Sequence, residues 1–453
     1  MPVSIEELLE WTGGEPHGAP PDSFEGAAID SRKTAPGSLY AALQGEHAHG
    51  REFAAQAIAA GAALVMTDGD PVYAPDGTPL PCVTVRDSRR ALADAARGYR
   101  KTLRAAVAGV TGSAGKTSTK EFLAAFLRSA GKTSATEGNF NNDLGLPLSI
   151  LNAARDSAFC VFECGSNHPG EIAALAGILQ PDCAAISSIG EAHIEHFGSL
   201  DGTAREKGAL FEAVPESGFC VLSRENLRFG ALKAMSKARV VEVSMRDASA
   251  PFHTVSAEPA AGRFTVAGPD GETTALDIGV PGEYNISNAL IAFAAARTLG
   301  ADADACAKAL EGFSLPGRRW RKTVRDGVTW IDDAYNANPA SMQAALRNFA
   351  KWPCKGRRIA VLGDMFELGP RAGELHAATA RAAAECGIDI VVAAGGLMES
   401  AFAPAYHAAA PGATIVTVAD AATARALMPA ILREGDTVLL KGSRGMKMEQ
   451  VYE

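Results

Sequence analysis

The run Gly109-Val110-Thr111-Gly112-Ser113-Ala114-Gly115-Lys116-Thr117-Ser118 has the residue types and spacing to hold a phosphate. It joins an apolar stretch, Ala105 to Val110, to a segment in which Phe122, Leu123, Phe126 and Leu127 recur at helical spacing. Glycines let backbone N–H groups approach phosphate oxygens, and the helix N-terminus adds the positive end of its dipole. Lys116 can reach the β- and γ-phosphates, and the Thr117 hydroxyl can hold Mg²⁺. Gly112, Ser113, Ala114, Gly115, Lys116, Thr117 and Ser118 are therefore candidate ATP-binding residues. The common phosphate-loop pattern has a glycine at the position of Val110, so this loop reads T-G-x-x-G-K-T. The plainer alternative is a Gly-rich βα turn without a ligand.

In open parallel sheets, ligands bind beyond the carboxyl ends of strands. Glu163 follows the apolar run Phe159 to Phe162, and His193 falls just past Ala184 to Ile189. A carboxylate and an imidazole at such ends can hold Mg²⁺ directly or through water. Taken singly, Glu163 also reads as a helix cap and His193 as a loop histidine. Lys207, within Ala204-Arg205-Glu206-Lys207-Gly208, reads from spacing alone as a surface lysine on a helix.

The elements that must position these groups follow a β/α rhythm. Ser4-Ile5-Glu6-Glu7 predicts a capping box that opens a short helix, ended by Gly13-Gly14. Short apolar runs between turn signals, such as Ser38 to Leu43, Ala62 to Thr67 and Cys82 to Val85, make a small α/β domain the expectation there. Strands then alternate with helices, which implies a mostly parallel, doubly wound sheet. Val240 to Val243 and Arg263 to Ala267 read as added antiparallel strands, and Gly131 as the C-cap of the helix after the phosphate loop. The last third repeats the rhythm at Val328 to Ile331, Ile359 to Leu362, Ile388 to Ala393, Thr414 to Val418 and Thr437 to Leu440. The expected fold class is α/β, in three domains over residues 1–102, 103–316 and 317–453. No G-x-G-x-x-G opens a helix after a strand, so nothing indicates a dinucleotide cofactor.

With 453 residues, 47% hydrophobic and 21% charged, the composition is that of a globular enzyme of several domains. A net charge of −9 argues against a nucleic-acid partner, which draws most of its affinity from phosphate contacts. The eight cysteines have no C-x-x-C spacing and read as buried free thiols in a reducing cytoplasm. Met1-Pro2-Val3-Ser4 leads into no apolar run of a secretion signal, and no stretch has the length of a membrane span.

Several segments together resemble the Mur ligase family. Thr111 to Ser118 is similar to that family's ATP loop, including its lack of the first glycine. Gly138-Asn139-Phe140-Asn141-Asn142-Asp143-Leu144-Gly145-Leu146-Pro147 resembles the G-N-x-N-N-x-x-G-x-P stretch of the branch that adds D-alanyl-D-alanine. So do Glu163-Cys164-Gly165-Ser166-Asn167-His168-Pro169-Gly170-Glu171-Ile172 and Asp332-Asp333-Ala334-Tyr335-Asn336-Ala337-Asn338-Pro339. Leu362-Gly363-Asp364-Met365-Phe366-Glu367-Leu368-Gly369 and Lys441-Gly442-Ser443-Arg444 complete the set. Asp30-Ser31-Arg32-Lys33 and Gly45-Glu46 resemble the family's UDP-binding end. The branch that adds the third peptide residue shows tyrosine-alanine-histidine where this chain has Tyr335-Asn336-Ala337. Folylpolyglutamate synthases lack the Asn-His-Pro-Gly-Glu segment.

The resemblance implies a small UDP-sugar domain, a central ATP-binding domain and a Rossmann-like domain that closes on ATP. It implies an ATP-dependent ligase that joins UDP-N-acetylmuramoyl-tripeptide to D-alanyl-D-alanine through an acyl phosphate, in peptidoglycan precursor synthesis. The alternatives are a sibling ligase with another acceptor and, from a different class, a nucleotide-dependent switch that makes no bond. By resemblance, Glu163 and His193 are Mg²⁺ ligands and Lys207 is carbamylated to help hold a second Mg²⁺. Asn285 and Asn288 belong to the adenine side, where Tyr284 replaces the usual histidine. Arg318, Asp333, Tyr335 and Asn336 fall in segments that bring the third domain onto ATP. Ser31, Arg32, Gly45, Asn139, Asn141, Asn142, Asn338, Lys441, Ser443 and Arg444 are expected at the substrates. Asn336, Asn338 and the Lys441 to Arg444 loop also have a plainer reading as turn chemistry. The family pattern implies a monomer.

Overall fold

The computed structural model describes residues 2–190 and 194–453; His193 lies outside the described residues. The first helix, Ile5–Thr12, shows how directly local sequence acts. Ser4 Oγ accepts from the Glu7 amide at 3.1 Å, the Glu7 carboxylate accepts from the Ser4 amide at 2.9 Å, and Gly13 ends the helix at φ 65°.

Among the described residues, three large sheets follow one another along the chain. The first has five strands and contains Leu39–Ala42, Leu64–Asp68 and Cys82–Val85, all parallel neighbours. The helix Ser88–Thr102 then leads into a nine-stranded sheet. There Ala106–Thr111 lies between Phe159–Glu163 and Cys183–Ile186, parallel to both. Thr133–Ala135 forms one edge. Towards the other edge, Phe252–Glu258, Arg263–Ala267 and Thr273–Asp277 pair antiparallel in sequence. The third sheet has six strands, with Arg321–Arg325 antiparallel to Val328–Asp332 and the remaining pairs parallel. The α/β fold class and the largely parallel sheets follow the expected alternation of strands and helices.

One strand runs opposite to expectation. Arg239–Ser244, expected as antiparallel, pairs parallel with Phe219–Ser223. The short helix Phe229–Met235 carries the chain back across the sheet between them, and such a crossover makes a parallel pair. Gly131 is not the C-cap itself. The helix Lys116–Arg128 is capped by Ser129, and the Gly131 amide closes the last turn on the Leu127 carbonyl at 3.0 Å.

That helix is the platform of the phosphate loop. Its apolar face, with Phe122, Leu123, Phe126 and Leu127, is fully buried or nearly so against the helix Glu283–Thr298. Phe126 meets Phe293 edge to face, with ring centroids 5.9 Å apart. Each fully buried ring stabilises by about 1.5–3 kcal/mol, so the helix is anchored from behind while its N-terminus faces the site. Cys82, Cys160, Cys164, Cys183, Cys220 and Cys306 are buried free thiols, while Cys354 and Cys386 are half-buried and also free.

Candidate active site

A cavity of about 970 Å³ opens where the middle and third sheets face each other. Its floor is the phosphate loop. Lys116–Arg128 starts at Gly115 with no side chain capping its first turn, so its unpaired N–H groups point into the cavity. Gly115 adopts φ 84°, and a Cβ there would lie 2.4 Å from Asn288 Oδ1, so both backbone and space require glycine. The loop is tied to the adjoining strand end. Ser113 Oγ accepts from the Gly190 amide at 2.9 Å, and the Ala114 amide donates to Ser188 Oγ at 3.1 Å.

Lys116 Nζ donates to the Gly112 carbonyl at 2.9 Å. Burial holds its pKa below the usual lysine value; Glu163 opposes that shift and Arg319 adds to it. Glu163 is the last residue of its strand and is buried. Its carboxylate accepts from Thr117 Oγ1 and from Asn141 Nδ2, each at 2.7 Å. Thr117, Glu163 and Asn141 thus form one bonded unit at the foot of the cavity.

The opposite wall comes from the third sheet. Lys441 Nζ donates to Asp333 Oδ2 at 2.7 Å and to the Asn336 carbonyl at 3.1 Å, and both charged groups are buried. Asn285 and Asn288 line the cavity from the helix Glu283–Thr298, with Tyr284 beside them. Asn285 is committed to the Pro281 carbonyl at 2.7 Å. Asn139, Asn142, Tyr335, Asn336 and Asn338 also line it. Two of these have local work. Asn142 Oδ1 accepts from the Gly145 amide at 2.8 Å, and Asn338 caps the helix Pro339–Lys351 through the Ser341 amide at 2.8 Å.

Other expected residues stand elsewhere. Ser443 holds the Phe366 amide at 2.8 Å, and Arg444 pairs with Glu449 at 2.8 Å. Arg318 turns away from the cavity to Asp332 at 2.8 Å and Glu453 at 2.6 Å. Its neighbour Arg319, not singled out by the sequence, enters instead and donates to Thr117 Oγ1 at 3.0 Å. Ser31 bonds Gln56 at 3.2 Å, exposed Arg32 pairs with Asp30 at 2.9 Å, and the Gly45 amide closes a turn on Ala48 at 3.0 Å. None of these three lines the cavity.

Lys207 is not a surface lysine. It is 1% exposed, and its Nζ donates to Ser166 Oγ at 2.6 Å, with the Phe197 ring centroid 5.2 Å away. Burial, reinforced by the charge of Lys116 and opposed by Glu206 and Glu171, lowers its pKa to about 7. The Glu206 carboxylate is held by the Gly170 and Ile172 amides at 2.6 and 2.8 Å. The amine therefore sits behind the cavity wall at Ser166, largely uncharged above neutral pH.

Family models match the chain in three successive segments: "Mur ligase family, catalytic domain" over residues 23–100, "Mur ligase middle domain" over 110–296 and "Mur ligase, glutamate ligase domain" over 318–444. The UDP-N-acetylmuramoyl-tripeptide--D-alanyl-D-alanine ligase of Escherichia coli (strain K12) is 34% identical, over 99% of this chain and 97% of that protein. A crystal structure of MurF from Acinetobacter baumannii superposes with a TM-score of 0.87 at 29% identity, covering 100% of this chain and 98% of that one. MurF ligase from Thermotoga maritima in complex with ADP gives 0.78 at 26% identity, covering 94% and 96%. Among the described residues no helix is long and apolar enough to cross a membrane. Loop, sheets and full-length similarity agree, and the chain belongs to the Mur ligase family.

Proposed function

We propose that this protein is an ATP-dependent ligase that adds D-alanyl-D-alanine to UDP-N-acetylmuramoyl-tripeptide in peptidoglycan precursor synthesis. The observation that carries this reading is the meeting, in one cavity, of the phosphate loop with the Asp333 to Asn338 segment that follows the strand Val328–Asp332 of the third sheet. Relatives similar over nearly their whole length bear that activity in their names, and one was solved with ADP.

A free carboxylate is a poor acyl donor. Transfer of the γ-phosphoryl group of ATP to the tripeptide carboxylate gives an acyl phosphate and ADP. The dipeptide amine attacks the acyl carbon, and the tetrahedral intermediate collapses to an amide and phosphate. Positioning and charge stabilisation do most of this work. Lys116 and the free N–H groups of its helix offset charge on the transferring phosphoryl. Asn285 and Asn288 hold the adenine side. The third sheet, through Asp333, Tyr335 and Asn336, closes over ATP and excludes water, which otherwise hydrolyses the acyl phosphate.

The site fits Mg²⁺. Thr117 Oγ1 and the Glu163 carboxylate, 2.7 Å apart, are hard oxygen donors. A small protein donor set suits an ion that keeps waters and substrate phosphates as its other ligands. When bound, Mg²⁺ neutralises phosphate oxygens. His193 joins as a ligand on the family resemblance. Lys207, as a carbamate, serves a second ion, and its low pKa favours that modification because only a neutral amine takes up CO₂.

Residues 1–102 bind the UDP-sugar end through the Ser31, Arg32 and Gly45 region, 103–316 bind ATP, and 317–453 bind the incoming dipeptide, with Lys441 and Asn338 on that face. The enzyme works as a cytoplasmic monomer. An acceptor panel tests the reading: with ATP and the UDP-tripeptide, mass spectrometry is expected to find the pentapeptide with D-alanyl-D-alanine and no product with single amino acids or glutamate. A product with a single amino acid alone would move the chain to a sibling ligase.

A further inference from the structure

We propose that Arg89, in its ion pair with Asp143, selects the third residue of the tripeptide. It favours a side chain ending in both a carboxylate and an ammonium, the diaminopimelate type, over one ending in an ammonium alone. The inference rests on the ligase reading above and names part of its substrate. Among the described residues, Arg89 is the one residue of 1–102 that lines the cavity. It stands in the first turn of the helix Ser88–Thr102. On the ligase reading, residues 1–102 hold the UDP-sugar end, and the reacting carboxylate reaches the phosphate loop. The peptide between them therefore crosses the cavity beside Arg89.

Arg89 Nη1 donates to Asp143 Oδ2 at 2.6 Å, and the two side chains are 59% and 56% exposed. So open a pair is weakly held, and a substrate group can join it without first breaking a buried contact. The bond to Asp143 uses Nη1, which leaves the rest of the planar fork to a second carboxylate. The Asp143 carboxylate has lone pairs left for an ammonium. An amino-carboxylate can therefore set its carboxylate on Arg89 and its ammonium on Asp143, so that four charges alternate in sign. A lone ammonium meets an aspartate already neutralised and a guanidinium of its own sign, which disfavours it. The other exposed pair in this part of the cavity, His168 with Glu171, is closed on itself. Glu171 also accepts from the Asn167 and His168 amides at 2.7 and 3.2 Å.

The reach is right for a third residue. Asn141 Nδ2 holds Glu163 at 2.7 Å, at the foot of the cavity where phosphoryl transfer is placed. Asp143 lies two residues beyond Asn141, a span of at most about 7 Å. In an extended diaminopimelate, the far α-carbon is about 6 Å from the reacting carboxyl carbon. The methylenes between them have an apolar bed. Ala174, Leu175 and Ile178 of the helix Glu171–Leu179 line the same cavity. That helix packs beside Ser88–Thr102, where Arg97 Nε donates to the Gly177 carbonyl at 3.3 Å.

The test measures kcat/KM for UDP-N-acetylmuramoyl-tripeptides ending in meso-diaminopimelate or in L-lysine, with ATP and D-alanyl-D-alanine saturating. It compares the wild type with Arg89→Met, Arg89→Lys and Arg89→Glu. The wild type is expected to favour the diaminopimelate form at least about tenfold. Arg89→Met lowers that ratio at least about tenfold, through KM and not kcat, because the contact is the same in the ground state and the transition state. Arg89→Lys keeps part of the ratio, and Arg89→Glu inverts it in favour of lysine. Thermal midpoints stay at the wild-type value, since the pair is exposed. Equal efficiency of the wild type with both tripeptides would overturn the proposal. So would an Arg89→Met that raises KM for both forms by the same factor, which would assign Arg89 to a stem carboxylate that both share. A wild type that forms no pentapeptide from either tripeptide defeats the ligase reading and this inference with it, whereas pentapeptide formed without preference defeats this inference alone.

Discussion

Replacing Lys116 with alanine is expected to lower ligation turnover by about a hundredfold or more while leaving the fold intact. Lys116 is the first residue of the helix Lys116–Arg128. Its ammonium bonds only to the Gly112 carbonyl, at 2.9 Å, and pairs with no carboxylate among the described residues. Burial is the first cause of its lowered pKa. A lysine whose folded pKa lies below its unfolded value binds protons less well when folded. Its charge therefore opposes folding at neutral pH, and the opposition fades as pH rises through the folded pKa towards the unfolded one. Removing that charge costs the fold little, so loss of turnover reports on the transferring phosphoryl group and not on unfolding. Circular dichroism and the thermal midpoint serve as controls. A folded Lys116→Ala with normal turnover would remove Lys116 from the mechanism.

Lys207 gives the second large effect. Lys207→Met keeps the alkyl stem among its apolar neighbours, and Lys207→Ala removes it. Both are expected to lose about a hundredfold or more in turnover, which added bicarbonate does not restore. The wild type, supplied with ¹³C-bicarbonate, is expected to show a carbamate resonance that both variants lack. Carbamylation joins the neutral amine to CO₂ and releases one proton. With the amine pKa near 7, the resonance at fixed CO₂ pressure should fade as pH drops through that value, because the protonated amine is unreactive. Wild-type turnover in Lys207→Met, or a carbamate signal that survives the substitution, would contradict the assignment.

The phosphate loop was legible because its signals are local. Glycines, Lys116-Thr117 and the apolar face at Phe122 and Phe126 all lie within one strand-turn-helix unit. The middle sheet was legible for a similar reason, since buried strands appear as short apolar runs. What could not be read depends on distant packing. The direction of Arg239–Ser244 hinges on a helix of only seven residues, Phe229–Met235. Lys207 lies in the charged run Arg205-Glu206-Lys207, which looks like a solvated helix face, yet Glu206 and Lys207 are both buried against the Ser166 to Ile172 segment. That Arg318 turns away from the cavity depends on Asp332 and on acids at the far C-terminus, Glu449 and Glu453. No spacing rule announces either. Asn338 and Ser443, expected at the substrates, also hold a helix cap and a loop amide, which spacing does not show.

The central claim is that ATP cleavage in this cavity is coupled to formation of one amide bond. Phosphate release from ATP, measured with UDP-N-acetylmuramoyl-tripeptide present and with or without D-alanyl-D-alanine, tests it most directly. The account predicts sustained release only when both substrates are present, with one phosphate formed per pentapeptide. Release that is indifferent to the dipeptide, or that proceeds without the UDP-tripeptide, would contradict it.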